Sequence, residues 1–119
     1  MSFLEIMQSL VEAVPGALAA TIMGMDGLTI QQYCPGGYDV ETIGVEYGKV
    51  IEEIKHASGV LNLGSVEEVC VSTDDTCLVI RMVTQGYYIA LVLSSEANTG
   101  RARFLLRSAA VKAEKELFI

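Results

Sequence analysis

The stretch Ser65–Leu93 decides the fold of this chain, and it reads SVEEVCVSTDDTCLVIRMVTQGYYIALVL. Three runs rich in β-branched and aromatic residues are separated by two pairs of turn residues, Asp74-Asp75 and Gln85-Gly86. Such runs with short turn signals between them predict three consecutive antiparallel strands. A turn at Asp74-Asp75 sets the register of the first hairpin, whose predicted pairs are Thr73 with Thr76, Val71 with Leu78 and Val69 with Ile80.

Both faces of the predicted meander carry apolar side chains. Successive residues of a strand point to opposite faces. One face therefore holds Val69, Val71, Leu78, Ile80 and Met82, and the other holds Cys70, Ser72, Cys77, Val79, Arg81 and Val83. Because apolar groups on both sides of a sheet must be shielded from water, we predict helices packed against each face.

Two elements precede the longest helix. Ser2 followed by Glu5 is a capping-box pattern, and it opens an amphipathic helix that ends before Pro15. Asp26-Gly27 then lies between two apolar runs, which predicts a β-hairpin with a two-residue type I′ turn.

Two helical patterns flank the meander. The longer covers about Asp39–Val60, with Asp39 as its N-cap. The other follows a loop at Glu96–Gly100 and runs to about Leu117. Its predicted buried side consists of Phe104, Leu105, Ser108, Val111 and Leu117.

The composition favours a self-associating protein and argues against two classes of partner. The 119-residue chain carries a net charge of −7, whereas binding to nucleic acid or to anionic membranes depends on Lys and Arg. Hydrophobic residues make up 51% of the chain, yet no apolar run reaches the roughly 18 residues of a membrane helix. We predict one domain over residues 1–119 that buries apolar surface against a partner, with no nucleic acid and no direct membrane insertion. A core that uses both faces of the sheet is the alternative explanation of the apolar excess.

The cysteines point to a reducing compartment. Cys34, Cys70 and Cys77 form no C-x-x-C pair and have no metal-ligand spacing. The N-terminus has no basic segment of the kind that opens a signal peptide. We therefore predict free thiols and a cytoplasmic location.

No catalytic signature is present in the sequence. There is neither a P-loop nor a G-x-S-x-G elbow, and the single histidine, His56, lies on the polar face of the longest helix. We predict that the protein is not an enzyme and that it has no catalytic residues, no cofactor and no metal site. Arg81 is the one charge in the middle of a strand, and it is open to three interpretations: an edge guard against aggregation, a salt-bridge partner or a contact residue.

With this order of elements, the sequence resembles the Roadblock family, which includes dynein light chains and bacterial MglB-like regulators of small GTPases. The resemblance lies in Val14–Ala17, in Met25–Leu28, in the long helix from Asp39, in the meander and in the last helix from Gly100 to Arg107. It implies an α+β fold with the order α-β-β-α-β-β-β-α. The five-stranded antiparallel sheet would have the order 2-1-5-4-3, with the long helix on one face and the two terminal helices on the other.

The resemblance also implies a homodimer in which third strands join and the long helices lie side by side. The joining strand would be Val66–Thr73. The dimer-interface residues would be Val66, Val69, Val71, Thr73, Gly44, Gly48, Tyr47 and Ile51. From the residues alone, Gly44 and Gly48 either admit the close approach of another helix or are simply tolerated.

By the same resemblance, the function would be regulation of a Ras-like small GTPase by a non-catalytic adaptor. The exposed candidates for that contact are Glu46, Lys49, Glu53 and His56. Two alternatives stay open: a structural scaffold of the light-chain type and a small-molecule sensor domain. A sensor needs a pocket with convergent polar groups, and the sequence offers mainly apolar faces.

Overall fold

The computed structural model describes residues 1–118. Its elements are α1 (Phe3–Ala13), β1 (Ala17–Gly24), β2 (Thr29–Tyr33), α2 (Val40–Val60), β3 (Glu68–Ser72), β4 (Thr76–Thr84), β5 (Tyr87–Ser94) and α3 (Thr99–Leu117). The strands form one antiparallel sheet in the order β2-β1-β5-β4-β3. The predicted fold class and strand order are therefore confirmed. None of the described helices is long and apolar enough to cross a membrane.

The register and the two faces of the meander agree with the alternation of the sequence. Val69 lies opposite Ile80 and Val71 opposite Leu78, and the Thr73 N–H donates to the Thr76 carbonyl at 2.9 Å. The buried residues form two clusters, one on each side of the sheet. The α1 and α3 side of the sheet includes Cys77, Val79 and Val83, and the α2 side includes Leu78, Ile80 and Met82.

The first hairpin forms where predicted, but the predicted turn type is wrong. Gly27 has a φ of +88° and Asp26 is not among the residues with positive φ, whereas a type I′ turn needs two such residues. The Gly27 N–H donates to the Gly24 carbonyl, and the Gly24 N–H donates to the Leu28 carbonyl, both at 3.0 Å. These bonds define a three-residue loop with a glycine bulge, which requires only one left-handed position.

Each helix begins at a side-chain cap. Ser2 accepts from the Glu5 N–H and completes a capping box. The Asp39 carboxylate accepts from the N–H and the hydroxyl of Thr42, at 3.0 and 2.6 Å, and these bonds lower the pKa of Asp39. Asn98 accepts from the Arg101 N–H at 3.0 Å. The first two caps are those predicted from the sequence.

The buried face of α3 differs from the prediction. It consists of Ala102, Leu106, Ala109, Ala110 and Ala113. Leu105 and Leu117 pack against the core only in part, while Phe104 is 68% exposed and Val111 is 53% exposed. Small alanine side chains let α3 approach the sheet closely, so the larger apolar residues are left on its outer side.

Candidate interaction surface at the edge of the sheet

The outer edge of β3 is open. The residues that flank this strand are hydrogen-bonded to the chain of β4: the Thr73 N–H donates to Thr76, and the Glu67 carbonyl accepts from Met82, both at 2.9 Å. In an antiparallel ladder every second residue points its N–H and C=O groups the same way, so Val69 and Val71 also face β4 and the residues that alternate with them face outward. Glu68, Cys70 and Ser72 therefore direct their backbone groups outward, and within residues 1–118 no strand pairs with them. An edge of this kind is a template for another strand.

One side of α2 leaves apolar side chains in water. Gly48 and Glu52 line a cleft with the turn at 25–27, so this side of α2 faces the turn. At 3.6 residues per turn, the opposite side of the helix carries Val50 and Leu61. Val50 is 46% exposed and Leu61 is 65% exposed.

The apolar side chains of β3 lie on the same side of the sheet as α2. Val69 and Val71 pack against the buried cluster beneath α2, but both remain only half-buried. Leu63, in the connection from α2 to β3, is 73% exposed. The open edge of β3 is thus bordered by apolar surface that the described chain does not cover.

Gly44, a predicted dimer-interface residue of α2, faces the chain's own sheet. A Cβ atom at Gly44 would collide with the Met23 sulfur, and the buried Tyr88 hydroxyl donates to the Gly44 carbonyl at 2.8 Å. Burial raises the pKa of that Tyr88 hydroxyl. Gly44 therefore serves the approach of α2 to its own sheet, and its place in a dimer interface stays a prediction.

The other predicted interface residues are distributed between core and surface. Ile51 is buried at 1% exposure in the cluster beneath α2, and Tyr47 packs partly against that cluster. Gly48 and Val66 are half-buried, and Thr73 is exposed. Sequence reasoning missed Val50 and Leu61, because a helical period identifies an apolar residue without showing how far the helix turns it toward the sheet. It also missed Leu63, which lies in a connection and follows no period.

The four predicted partner-binding residues lie together on the outside of α2. Glu46, Lys49, Glu53 and His56 are all exposed, and their spacing of three, four and three residues places them on one helical face. Lys49 lies 3.9 Å from Glu46, and both side chains are mostly exposed. Such a surface ion pair contributes little to stability, so these charges are free to meet a partner.

Arg81 is a salt-bridge partner, which was one of the three interpretations of this residue. Its guanidinium lies 3.8 Å from carboxylate oxygens of both Glu67 and Glu68. Arg103 of α3 donates to the other oxygen of Glu68 at 2.6 Å, and this hydrogen bond raises the pKa of Arg103. The Glu68 side chain is only 9% exposed, so it holds two guanidiniums beside the open edge.

The described chain contains a small apolar cavity and a larger polar concavity. The cavity lies between α1 and α3 and measures about 120 Å³, whereas the concavity lies at the edge of the sheet beside β3 and measures about 640 Å³. Small-molecule pockets are usually about 300–1,000 Å³. Within residues 1–118, no three His, Cys, Asp or Glu side chains are grouped to hold a metal ion.

Comparison with solved structures places this architecture in a known class. A Roadblock/LC7 domain from Streptomyces avermitilis matches with a TM-score of 0.89 and 19% identity over 97% of both chains. MglB from Myxococcus xanthus matches with a TM-score of 0.88 and 9% identity, over 97% of this chain and 94% of that chain. The fold is therefore that of a Roadblock domain.

A third structure adds similarity in sequence. MglC from Myxococcus xanthus is 33% identical over 98% of this chain and 99% of that chain, with a TM-score of 0.69. The chain belongs to the Roadblock family. No protein-family model matches the sequence, and the comparison with curated proteins finds no relative.

Proposed function

We propose that the protein is a cytoplasmic homodimer that binds a Ras-like small GTPase and modulates its cycle without supplying a catalytic group. The open edge of β3 with its apolar border carries the first half of this proposal. A second copy would satisfy the outward N–H and C=O groups and cover the exposed side of α2. Membership of the Roadblock family, with its bacterial MglB-like regulators, supports the second half.

The alternation of β3 favours one register for the two copies. A two-fold axis at Cys70 pairs Cys70 with Cys70 of the partner subunit, and Glu68 with Ser72 of the partner subunit. This register uses all three outward-facing residues of the strand. An axis at Val69 or Val71 would instead draw on residues outside β3 for the same number of hydrogen bonds. The Cys70-centred register also sets Val69 against the partner's Val71 on the α2 side.

The proposed GTPase contact lies on the outer face of α2. Replacing Glu46 and Glu53 by lysine should weaken binding by at least about tenfold, because it reverses two charges in the middle of this face. The measurement is capture of purified small GTPases, loaded with GDP or with a non-hydrolysable GTP analogue, on the immobilised protein. The matched control replaces Glu96 and Glu114, two exposed acids outside α2, by lysine.

The outcomes separate the proposal from its alternatives. An equal loss of GTPase binding in the Glu96/Glu114 control would mean that the effect comes from net charge alone. Undiminished binding by the Glu46/Glu53 variant would contradict a GTPase contact on α2. An intact dimer that ignores every GTPase in either nucleotide state would favour the structural scaffold. A rise in Tm on addition of a small molecule would be the evidence for the sensor.

A further inference from the structure

We propose that the Asp74-Asp75 turn of one subunit binds the arginine cluster of the other, where the arginine cluster is Arg81, Arg103 and Arg107. The inference rests on the proposed homodimer and assigns a specific electrostatic contact to it. In this contact two carboxylates meet guanidinium groups at each end of the joined strands. The two-fold axis generates the contact twice.

The arginine cluster surrounds a polar concavity at the open edge. The concavity measures about 640 Å³, and its walls are the connection 63–65, the start of β3 and the first half of α3. Three of the eight basic residues of a chain with net charge −7 meet there. Glu67 and Glu68 are the acids that line it, so the site keeps an excess of positive charge.

The guanidiniums of the cluster have unused hydrogen-bonding capacity. Arg81 is 18% exposed, and its contacts to Glu67 and Glu68 are 3.8 Å long, beyond hydrogen-bond distance. The Glu68 oxygen nearest Arg81 accepts no hydrogen bond from any group within residues 1–118, so Arg81 does not donate to it. Within residues 1–118, no carboxylate forms a salt bridge with Arg107. Each guanidinium offers five N–H donors in a fixed fork, which suits carboxylate ligands.

Within residues 1–118, the two carboxylates of the β3–β4 turn take no part in its hydrogen bonds. In many turns an Asp side chain caps the backbone, but here the Thr73 hydroxyl does so. It accepts from the Asp75 N–H at 3.3 Å and from the Thr76 N–H at 3.1 Å. Asp74 and Asp75 are both exposed. Their carboxylates are therefore available to a partner without any loss of turn structure.

The Cys70-centred register brings the turn to the cluster. Continuing the pairing beyond Glu68 and the partner's Ser72 sets Glu67 beside the partner's Thr73. The partner's chain then turns at Asp74-Asp75, so this turn lies next to Ser65 and Val66, which come just before β3. Ser65 forms part of the wall of the concavity. Neighbouring strands lie about 5 Å apart, which is within the reach of an arginine side chain.

Neutralising Asp74 and Asp75 tests the contact, because loss of these two charges should weaken the dimer, whereas loss of the same charge elsewhere should not. We expect Asp74→Asn with Asp75→Asn to raise the dimer Kd by at least about tenfold in low salt, and to flatten its dependence on salt. Sedimentation equilibrium over a range of protein and salt concentrations measures both. The control, Glu96→Gln with Glu114→Gln, removes the same charge away from the edge. In a chain of net charge −7, loss of acids elsewhere reduces self-repulsion and should leave the dimer as tight or tighter.

A second variant identifies the partner of the turn. Arg107→Gln should weaken the wild-type dimer but have little further effect in the Asp74/Asp75 variant, because the two changes remove the same contact. If the Asp74/Asp75 variant dimerises as tightly as the control, the inference is wrong and the homodimer stands. Additive effects of the two changes would also overturn it. If the wild-type protein is a monomer at every concentration, the proposed homodimer fails, and the inference fails with it.

Discussion

Replacing Cys70 by proline is expected to convert the protein into a folded monomer. The Cys70 N–H points away from β4, so proline at this position removes no hydrogen bond within the subunit. Proline is tolerated on edge strands where the N–H faces outward. In the proposed dimer the same substitution removes both central N–H donors and places two rings at the axis. We expect the dimer Kd to rise by at least about a hundredfold, as measured by light scattering after size exclusion.

Two control variants separate this effect from simple loss of structure. Val71→Pro removes a donor that serves β4, so it should lower the free energy of unfolding by about 1–3 kcal/mol. Cys70→Ser keeps the N–H and should remain dimeric. A dimeric Cys70→Pro variant would contradict the use of this edge. A Cys70→Pro variant that is less stable as a subunit than Val71→Pro would contradict the outward direction of the Cys70 N–H.

Replacing Leu106 by alanine is expected to give the largest loss of stability among single changes in α3. Leu106 is 0% exposed, whereas the neighbouring Phe104 is 68% exposed. Removing buried methyl groups and leaving a cavity costs about 2–5 kcal/mol. Phe104→Ala deletes more atoms, yet it should change the free energy of unfolding by no more than about 0.5 kcal/mol. Urea unfolding at one fixed protein concentration measures both variants.

This pair of variants tests the orientation of α3 about its own axis. Equal costs, or a larger cost for Phe104→Ala, would mean that the larger apolar residues face the core, as their size alone indicates. A cost confined to Leu106→Ala would mean that the alanine face is buried.

The meander was predictable from sequence because two local rules agree there. Strict alternation fixes which side chains share a face, and the Asp74-Asp75 turn fixes the register, so Val69 and Ile80 had to lie opposite each other. The same register places Glu68 opposite Arg81. The ion pair of Arg81 could therefore have been predicted by carrying the pairing one residue further.

The helix faces were less predictable, because they depend on contacts between distant segments. Gly44 is explained by Met23 and Tyr88, which come from two other elements. The contact of Arg103 with Glu68 joins residues 35 positions apart, and it depends on how α3 lies across the sheet. In the first hairpin, the Asp-Gly pair indicated a turn correctly, but the bulge at Gly27 depends on strand twist and on the pairing of β1 with β2.

Oxidative cross-linking at Cys70 tests most directly whether two copies pair through β3. In the proposed register the two Cys70 Cα atoms lie about 5.5 Å apart, within the range of a disulfide. Burial raises the pKa of the Cys70 thiol, so mildly alkaline pH favours the reaction. We predict that the Cys34→Ser variant forms a covalent dimer on oxidation and that the Cys70→Ser variant does not. A Cys34→Ser protein that is dimeric by light scattering but gives no covalent dimer would contradict the account.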